Sequence, residues 1–450
     1  MRVKPSLVAI LASAFGGAAL AAISPEEAAK LGGPEYTETG ALRAGNVDGS
    51  IPPFSERMPP SAQAPRSAGK FRWGDPYEDE QPLYVIDAGN MERHADKLSV
   101  GQQLLLKRFP SYRIEVFPTK RHHMFPEHIR ENTKRCATTA ELVGDGDGLS
   151  GAVACIPFPL PRNGYEVLWN ASMQIGAGRH ERQEMTGWLV NSNGGANLVS
   201  RNVVLQEKEY WDPRAKEPRY YLRLANQHHY PPAKAGSQEV MWNPLRMDQE
   251  NTRAWLYLPA QRRVRLAPEF SYDNVATNYG GLILYDEIAF WDGRRDRFDF
   301  SSFEVKEMVV PFNTQKSHFK PVPEMSLKDH PDPSAIRWEL RRVLVLDAPR
   351  QVGKRHVYKK KVFYIDQDSW SIVLYDAFDD ADRLHRTGIG LPYVDPALPL
   401  VRAQSTVMFD LNRNFYGYIG HLNNGGVFPV TGRLPASIWL PDSVAGSGVR

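Results

Sequence analysis

The side chains able to do chemistry do not fall into a spacing that a known catalytic or metal motif requires. His122 and His123 with His128, and His228 with His229, supply imidazoles. Neighbouring histidines on a strand leave from opposite faces, so neither pair chelates by itself, and no HExxH accompanies them. Asp145-Gly146-Asp147-Gly148 opens like a calcium loop, but position twelve is Ile156 where a bidentate Glu is needed, and a polar turn is expected instead. Gly148-Leu149-Ser150-Gly151 is one residue short of the GxSxG elbow of a nucleophilic serine. Asp286, Glu287, Asp292, Asp296 and Asp299 form the most evident acidic cluster, interleaved with Arg294, Arg295 and Arg297. Salt-linked loops account for it more simply than paired catalytic carboxylates. No Gly-rich phosphate loop or dinucleotide fingerprint follows a strand. The expectation is no catalytic residue, no cofactor and no metal.

Two further groups have chemistry of a different kind. Cys136 and Cys155 are the only cysteines, without CxxC spacing. In an oxidising compartment a bond between them would close a loop worth about 3 kcal/mol, but separation in sequence does not decide whether the geometry permits it. Arg253, Arg262, Arg263 and Arg265 are able to grip a lipid phosphate or an acidic partner through bidentate contacts. A solvated sheet face that discourages edge pairing is the plainer reading of the same four.

The arginines sit on the stretch around which the chain is organised. Trp255 and Tyr257 alternate with Leu256 and Leu258, and after Pro259-Ala260-Gln261 the pair Arg263 and Arg265 alternates with Val264 and Leu266. That is a strand, a turn and a strand, with an apolar face needing cover from helices, a second sheet or a ligand. Short strands separated by turn residues are expected at 184–190, 197–205, 220–227, 239–243, 252–258, 262–266, 304–312, 336–346, 356–366, 370–378 and 401–409. Such spacing describes a large antiparallel meander. Upstream, Ser24-Pro25-Glu26-Glu27 is a capped helix start, a helix is expected over 88–109, and another begins after Asn163-Gly164. Residues 46–76 are rich in Pro, Gly and Ser and read as an irregular surface strap.

Composition narrows the classes. With 450 residues, 42% of them hydrophobic, the chain has ample core and no need of metals or disulfides to hold it. A formal charge of +3 gives no basic field for nucleic acid. Arg2 and Lys4 precede an uncharged run over 7–22 with Ala19-Leu20-Ala21 as cleavage pattern, so 1–21 is expected to be a signal peptide. No later run reaches the roughly 18 to 20 apolar residues of a membrane-spanning helix.

Trp255-Leu256-Tyr257-Leu258-Pro259 followed by Arg263-Val264-Arg265 resembles the strand-turn-strand signature of the outer-membrane lipoprotein-sorting superfamily, the LolA/LolB-like periplasmic proteins. More narrowly, most of the chain is similar to a proteobacterial family of unknown function in that superfamily. The matching pieces include Gly45-Asn-Val-Asp-Gly-Ser-Ile-Pro52, Pro157-Phe-Pro-Leu-Pro161, Gly164-Tyr-Glu-Val-Leu-Trp-Asn170, Trp291-Asp-Gly293, Arg337-Trp-Glu-Leu340 and Tyr364-Ile-Asp-Gln-Asp-Ser-Trp370. The resemblance implies an incompletely closed antiparallel β-barrel around an apolar cavity, and handling of acyl chains or another hydrophobic ligand in the periplasm. It also implies a relay with an efflux-type inner-membrane transporter and an outer-membrane β-barrel.

The combined expectation is a mainly β (α+β) protein. A signal peptide (1–21) precedes an N-terminal helix and strap region (22–180), a curved antiparallel sheet (181–420) and a C-terminal tail (421–450). Its function would be carriage of a lipid, acyl chain or similar apolar molecule. An adaptor between two membranes and, last, a lipid-directed hydrolase are the alternatives. The residues expected to line the cavity are Leu256, Leu258, Val264, Leu266, Trp338, Leu340, Phe363 and Ile372, with Trp255 and Tyr257 if the faces are reversed. Sequence does not say which sheet face is concave.

Overall fold

The computed structural model describes residues 23–55, 75–173, 179–267, 272–395, 400–422, 427–430 and 434–441. The signal-peptide expectation lies outside them, as does most of the strap. In chain order the strands are β1 Tyr84–Ile86, β2 Ile114–Phe117, β3 Glu141–Val143, β4 Gly148–Ser150, β5 His180–Val190, β6 Ala196–Glu207, β7 Tyr220–Tyr230, β8 Gln238–Pro244, β9 Arg253–Leu258 and β10 Arg263–Leu266. They continue as β11 Glu304–Pro311, β12 Trp338–Pro349, β13 Lys360–Asp366, β14 Ile372–Phe378, β15 Leu384–Gly390, β16 Tyr393–Asp395, β17 Leu400–Arg402, β18 Thr406–Asp410, β19 Phe415–His421 and β20 Val427–Pro429. The helices are α1 Pro25–Ala28, α2 Val100–Arg108, α3 Glu127–Thr139, α4 Gly164–Ser172 and α5 Gln315–Phe319.

One sheet of 16 strands dominates, in the order β1-β2-β12-β13-β14-β15-β18-β19-β5-β6-β7-β8-β9-β10, with β11 also on β12 and β20 also on β5. Its pairs are antiparallel except β2 with β12, and the path does not close into a barrel. The mainly β, unclosed antiparallel architecture is therefore as expected. The region 22–180 does more than pack on this sheet, since β1 and β2 are strands of it.

Most expected strands form, and the differences have physical causes. Residues 88–109 make two pieces, a 3₁₀ turn over Met91–Lys97 and α2, because Ser99 accepts from Gln102 N and caps a new helix there. The 401–409 segment splits into β17 and β18. β15 and β19 were not expected, since Gly388, Gly390, Gly417 and Gly420 dilute their strand character. Two of these glycines are required by close approach. A Cβ on Gly388 would lie 2.2 Å from the Phe290 ring, and one on Gly417 2.3 Å from the Trp188 carbonyl.

Two cores occupy the two faces of the sheet's central half. On the inner face, Leu344, Leu346, Phe363, Tyr375 and Met408 pack against Val167 and Trp169 of α4 and against Phe290, Trp291, Phe298 and Phe300. On the outer face, Val343, Val345, Val362, Leu374 and Phe409 pack with Met308 and Val310 of β11 and with Leu105 of α2. This double cover is why β13 and β14 are apolar at consecutive positions rather than alternating. At the rim of β12, Arg341 bonds Asp366 (2.6 Å), Asp368 (3.0 Å) and Glu339 (3.0 Å) out of solvent. Arg121 joins Asp368 at 2.7 Å and reaches the Pro52 carbonyl at 2.9 Å, clamping the described part of the strap to the sheet.

Candidate functional site

Beyond β19 the inner face changes character. Register places Gln206, Leu224, Met241 and Ala254 side by side on it across β6, β7, β8 and β9, with Val204, Asn226, Glu239 and Leu256 in the next row. Here α4 reaches only as far as Tyr221 of β7, whose ring lies 6.4 Å from that of Trp169, and Ser172 at its end borders the space beyond. The cover is an irregular segment with 3₁₀ turns at Thr277–Tyr279 and Tyr285–Phe290, and between segment and sheet lie two chambers. The inner one, about 190 Å³, is walled by Val204, Leu224, Met241, Tyr279, Ile288 and Trp291. The outer one, about 520 Å³, opens between Thr252, Arg253, Ala254 and Leu266 on one side and Tyr272, Gly293 and Arg294 on the other. Met241, Tyr285, Ile288 and Asp292 belong to both. The outer chamber alone falls within the roughly 300 to 1,000 Å³ usual for small-molecule sites.

The acidic cluster fixes the cover in place. Asp286 accepts from Lys361 Nζ at 2.7 Å and sits 3.0 Å from His356 Nε2, while Glu287 accepts from Arg386 at 2.5 Å and from the Tyr375 hydroxyl at 3.1 Å. All of these partners lie on or beside the filled half of the sheet. Burial works against the Asp286 charge, but Lys361 and His356 hold its carboxyl below the usual range. Glu287 also receives Leu284 N at 2.8 Å. Ala289 and Phe290 at φ 49° and 71° then turn the segment back toward Trp291. Salt-linked loops were the expectation, and their structural job is to hold a roof over the chambers.

Polar groups mark the ends of the inner chamber. Where the chambers meet, Asp292 accepts from the Tyr221 hydroxyl at 3.0 Å, and burial pushes its carboxyl up to about 6. Behind it the Arg295 guanidinium lies 3.7 Å from the Trp169 ring centre and donates to Ser172 Oγ at 2.7 Å, with burial bringing it down to about 10. At the other end Asn226 Nδ2 donates to Glu239 Oε2 at 3.0 Å, and His228 Nε2 lies 3.1 Å from Glu239 Oε1.

The residues expected to line a cavity are scattered by the structure over both faces of the sheet. Trp338 and Leu340 belong to the filled outer-face core and Phe363 and Ile372 to the filled inner-face core, so these four are packing residues and not chamber walls. Trp255, Tyr257 and Val264 cluster with Val240 and Trp242 on the outer face, the Trp242 and Trp255 rings 4.6 Å apart. Leu256 packs with Leu224 and Met241 on the inner face, and Leu258 is half-buried. Leu266 does reach the outer chamber, but at 60% exposure, because among the described residues β10 is the last strand on that side of the sheet. The faces of β10 also pair differently from expectation. Register sets Arg263 and Arg265 opposite Leu258 and Leu256, and Val264 opposite Tyr257. Arg262, Arg263 and Arg265 are exposed and Arg253 borders the outer chamber.

Cys136 and Cys155 are joined by a disulfide that ties α3 into the inner-face core. The histidines take structural positions. His123 bonds the Asp368 carbonyl at 3.0 Å, and burial pushes its imidazole down. Among the described residues no three His, Cys, Asp or Glu side chains converge as a metal site, and no helix is long and apolar enough to cross a membrane. Of the walls that sequence reasoning missed, Val204 and Met241 lie between residues that are equally apolar, and Leu224 and Ile288 follow a charged residue, Arg223 and Glu287.

A family model described as "Protein of unknown function (DUF1329)" matches residues 85–444. The uncharacterized protein PA3922 of Pseudomonas aeruginosa is 34% identical over 411 residues, covering 90% of this chain and 89% of that protein. Among solved structures, a DUF1329 family protein from Desulfovibrio piger is 12% identical with a TM-score of 0.43, over 62% of this chain and 97% of that one. A LolA superfamily protein from Nitrosomonas europaea is likewise 12% identical, with a TM-score of 0.37, over 63% of this chain and 100% of that one.

Proposed function

We propose that this chain, which belongs to the DUF1329 family, is a periplasmic carrier that holds an apolar or amphiphilic molecule in the two chambers and performs no chemistry on it. The observation that carries the reading is the contrast within one sheet. Where α4 and the Phe290–Phe300 aromatics lie, the inner face is filled with protein, and where the roof lies, the same face is left as a walled space. An unfilled apolar wall forfeits contacts that a bound chain restores, at about 0.8 kcal/mol for each methylene taken out of water. The resemblance of the Trp255–Arg265 signature to periplasmic lipoprotein-sorting proteins supports the same class of ligand and the same compartment. The carboxylates that line the chambers, Asp286, Asp292, Glu239 and Glu250, are each engaged by other protein side chains, which suits a container better than a catalyst.

The test is retention of a fluorescent acyl probe through gel filtration. Leu224 is half-buried and faces the chamber, so Leu224→Glu is expected to abolish retention while leaving the melting temperature within a few degrees of wild type. A folded Leu224→Glu protein that keeps the probe as wild type does would overturn the proposal. The relay partners implied by the resemblance, an efflux-type transporter and an outer-membrane β-barrel, belong to this reading as donor and acceptor. In-cell crosslinking from exposed Arg265 is the check on them.

A further inference from the structure

The carrier reading leaves the ligand's polar end undefined, and the Asn226–Glu239 end of the inner chamber defines it. Resting on that reading, we infer that this end takes a head group that donates hydrogen bonds without carrying negative charge, a hydroxyl or an ammonium, and turns away phosphate and carboxylate heads.

The argument starts from what the lining side chains offer. Asn202, Asn226, Glu239 and Gln404 all border the chamber. The Oδ1 atoms of Asn202 and Asn226 and the Oε1 atom of Gln404 are buried and accept no hydrogen bond. Asn202 is only 5% exposed. The orientation of Asn226 is set by its neighbour, because its Nδ2 must face the Glu239 carboxylate at 3.0 Å, which leaves its oxygen as the spare group. Buried acceptors without donors carry the full penalty of an unmade bond, and a donor arriving with the ligand removes it.

Charge points the same way. Burial disfavours the Glu239 anion, but the bonds from His228 and Asn226 hold its carboxyl below the usual range, so it stands ionised at neutral pH. The nearby cations do not serve this end. Lys234 is not among the chamber's lining residues and its charge is felt by Glu239, and Lys208, which does line the chamber, pairs with Glu181 at 3.1 Å. Arg295 lies against Trp169 and is not among the chamber's lining residues. An anionic head would meet acceptors and a carboxylate with no cation left to answer it.

Position on the strands gives the ligand a direction. Glu239 precedes Met241 by two residues on β8, about 7 Å along the strand, and Met241 is where the outer chamber begins. The head therefore sits at the Asn226–Glu239 end, and the chain runs past Leu224 and Met241 toward the outer chamber.

The experiment is a panel of dodecyl amphiphiles sharing one chain, with amine, monoglyceride, carboxylate and phosphate heads, titrated below their micelle concentrations at pH 7.5. Each is run against wild type, Asn226→Leu and Asn202→Leu, with thermal melting as the folding control. The amine and the glyceride are expected to bind about tenfold more tightly than the phosphate and the carboxylate, and either variant to erase most of that gap while keeping the chain's affinity. Phosphate or carboxylate binding as tight as the amine overturns the inference and leaves the carrier reading standing. Folded variants that keep the full gap overturn it as well. If no member of the panel binds, the carrier reading itself fails and the inference goes with it.

Discussion

β14 and β7 are strands of the same sheet, yet every residue of β14 is buried, whereas on β7 only Tyr220 and His228 are. β14 has one polar residue, Asp376, and β7 five, so composition leans the same way, but it does not say what covers either face. The difference lies in the cover. Over β14 the inner face meets α4 and the aromatic run around Phe290 to Phe300. Over β7 it meets a roof anchored from a distance by Asp286 and Glu287, and the space beneath stays open. A sheet of this size serves as scaffold where it is filled and as container where it is not.

Substitutions can break or sharpen that contrast. The largest effect is expected at Arg341, whose guanidinium answers three buried carboxylates in the filled half. Arg341→Ala should cost about 3 to 5 kcal/mol, or prevent folding, because Asp366 is left without a cation and Asp368 and Glu339 keep only Arg121 and Arg337. Denaturant melts measure it. Next, one mutation type at two sites should give opposite readouts. Leu344→Ala in the filled core is expected to lose about 2 to 5 kcal/mol and keep ligand retention, because Leu344 is 2% exposed and its cavity cannot collapse. Leu224→Ala, on the chamber wall, should lose under about 1 kcal/mol and weaken retention.

Asp292 gives a pH signature confined to the open half. Its folded carboxyl titrates near 6 against an ordinary 3.8, so the folded state binds more protons between those values and stability falls as pH rises through that window. Asp292→Asn should be more stable than wild type at pH 7 by up to about 3 kcal/mol, and the gain should vanish below about pH 4. Melting curves of the two proteins from pH 4 to 7 test the sign. The smallest effect is expected at exposed Arg265, where replacement by Ala should change stability by less than about 0.5 kcal/mol.

Much of the scaffold was legible in the chain. Alternation marked most strands of the sheet, the turn at Pro259–Gln261 between β9 and β10 is where spacing put it, and the Ser24 cap follows from local chemistry. The site was not legible, for reasons that are physical. Trp338 and Phe363 are apolar, which announces burial but not whether protein or a ligand does the burying. The roof depends on Asp286 meeting Lys361, 75 residues away, and on Glu287 meeting Arg386, 99 residues away, and no local pattern encodes those meetings. The chamber walls alternate with outer-face residues that are themselves apolar, as Val204 does with Val203 and Leu205, so periodicity could not say which set faces inward.

The central claim, that the open half of the sheet is a container, is tested most directly by mass spectrometry of an organic extract of the protein, purified without detergent from the periplasm of its own host. The account predicts a discrete apolar compound in stoichiometric amount from wild type and its loss from Leu224→Glu. An empty extract from well-folded wild-type protein would contradict it.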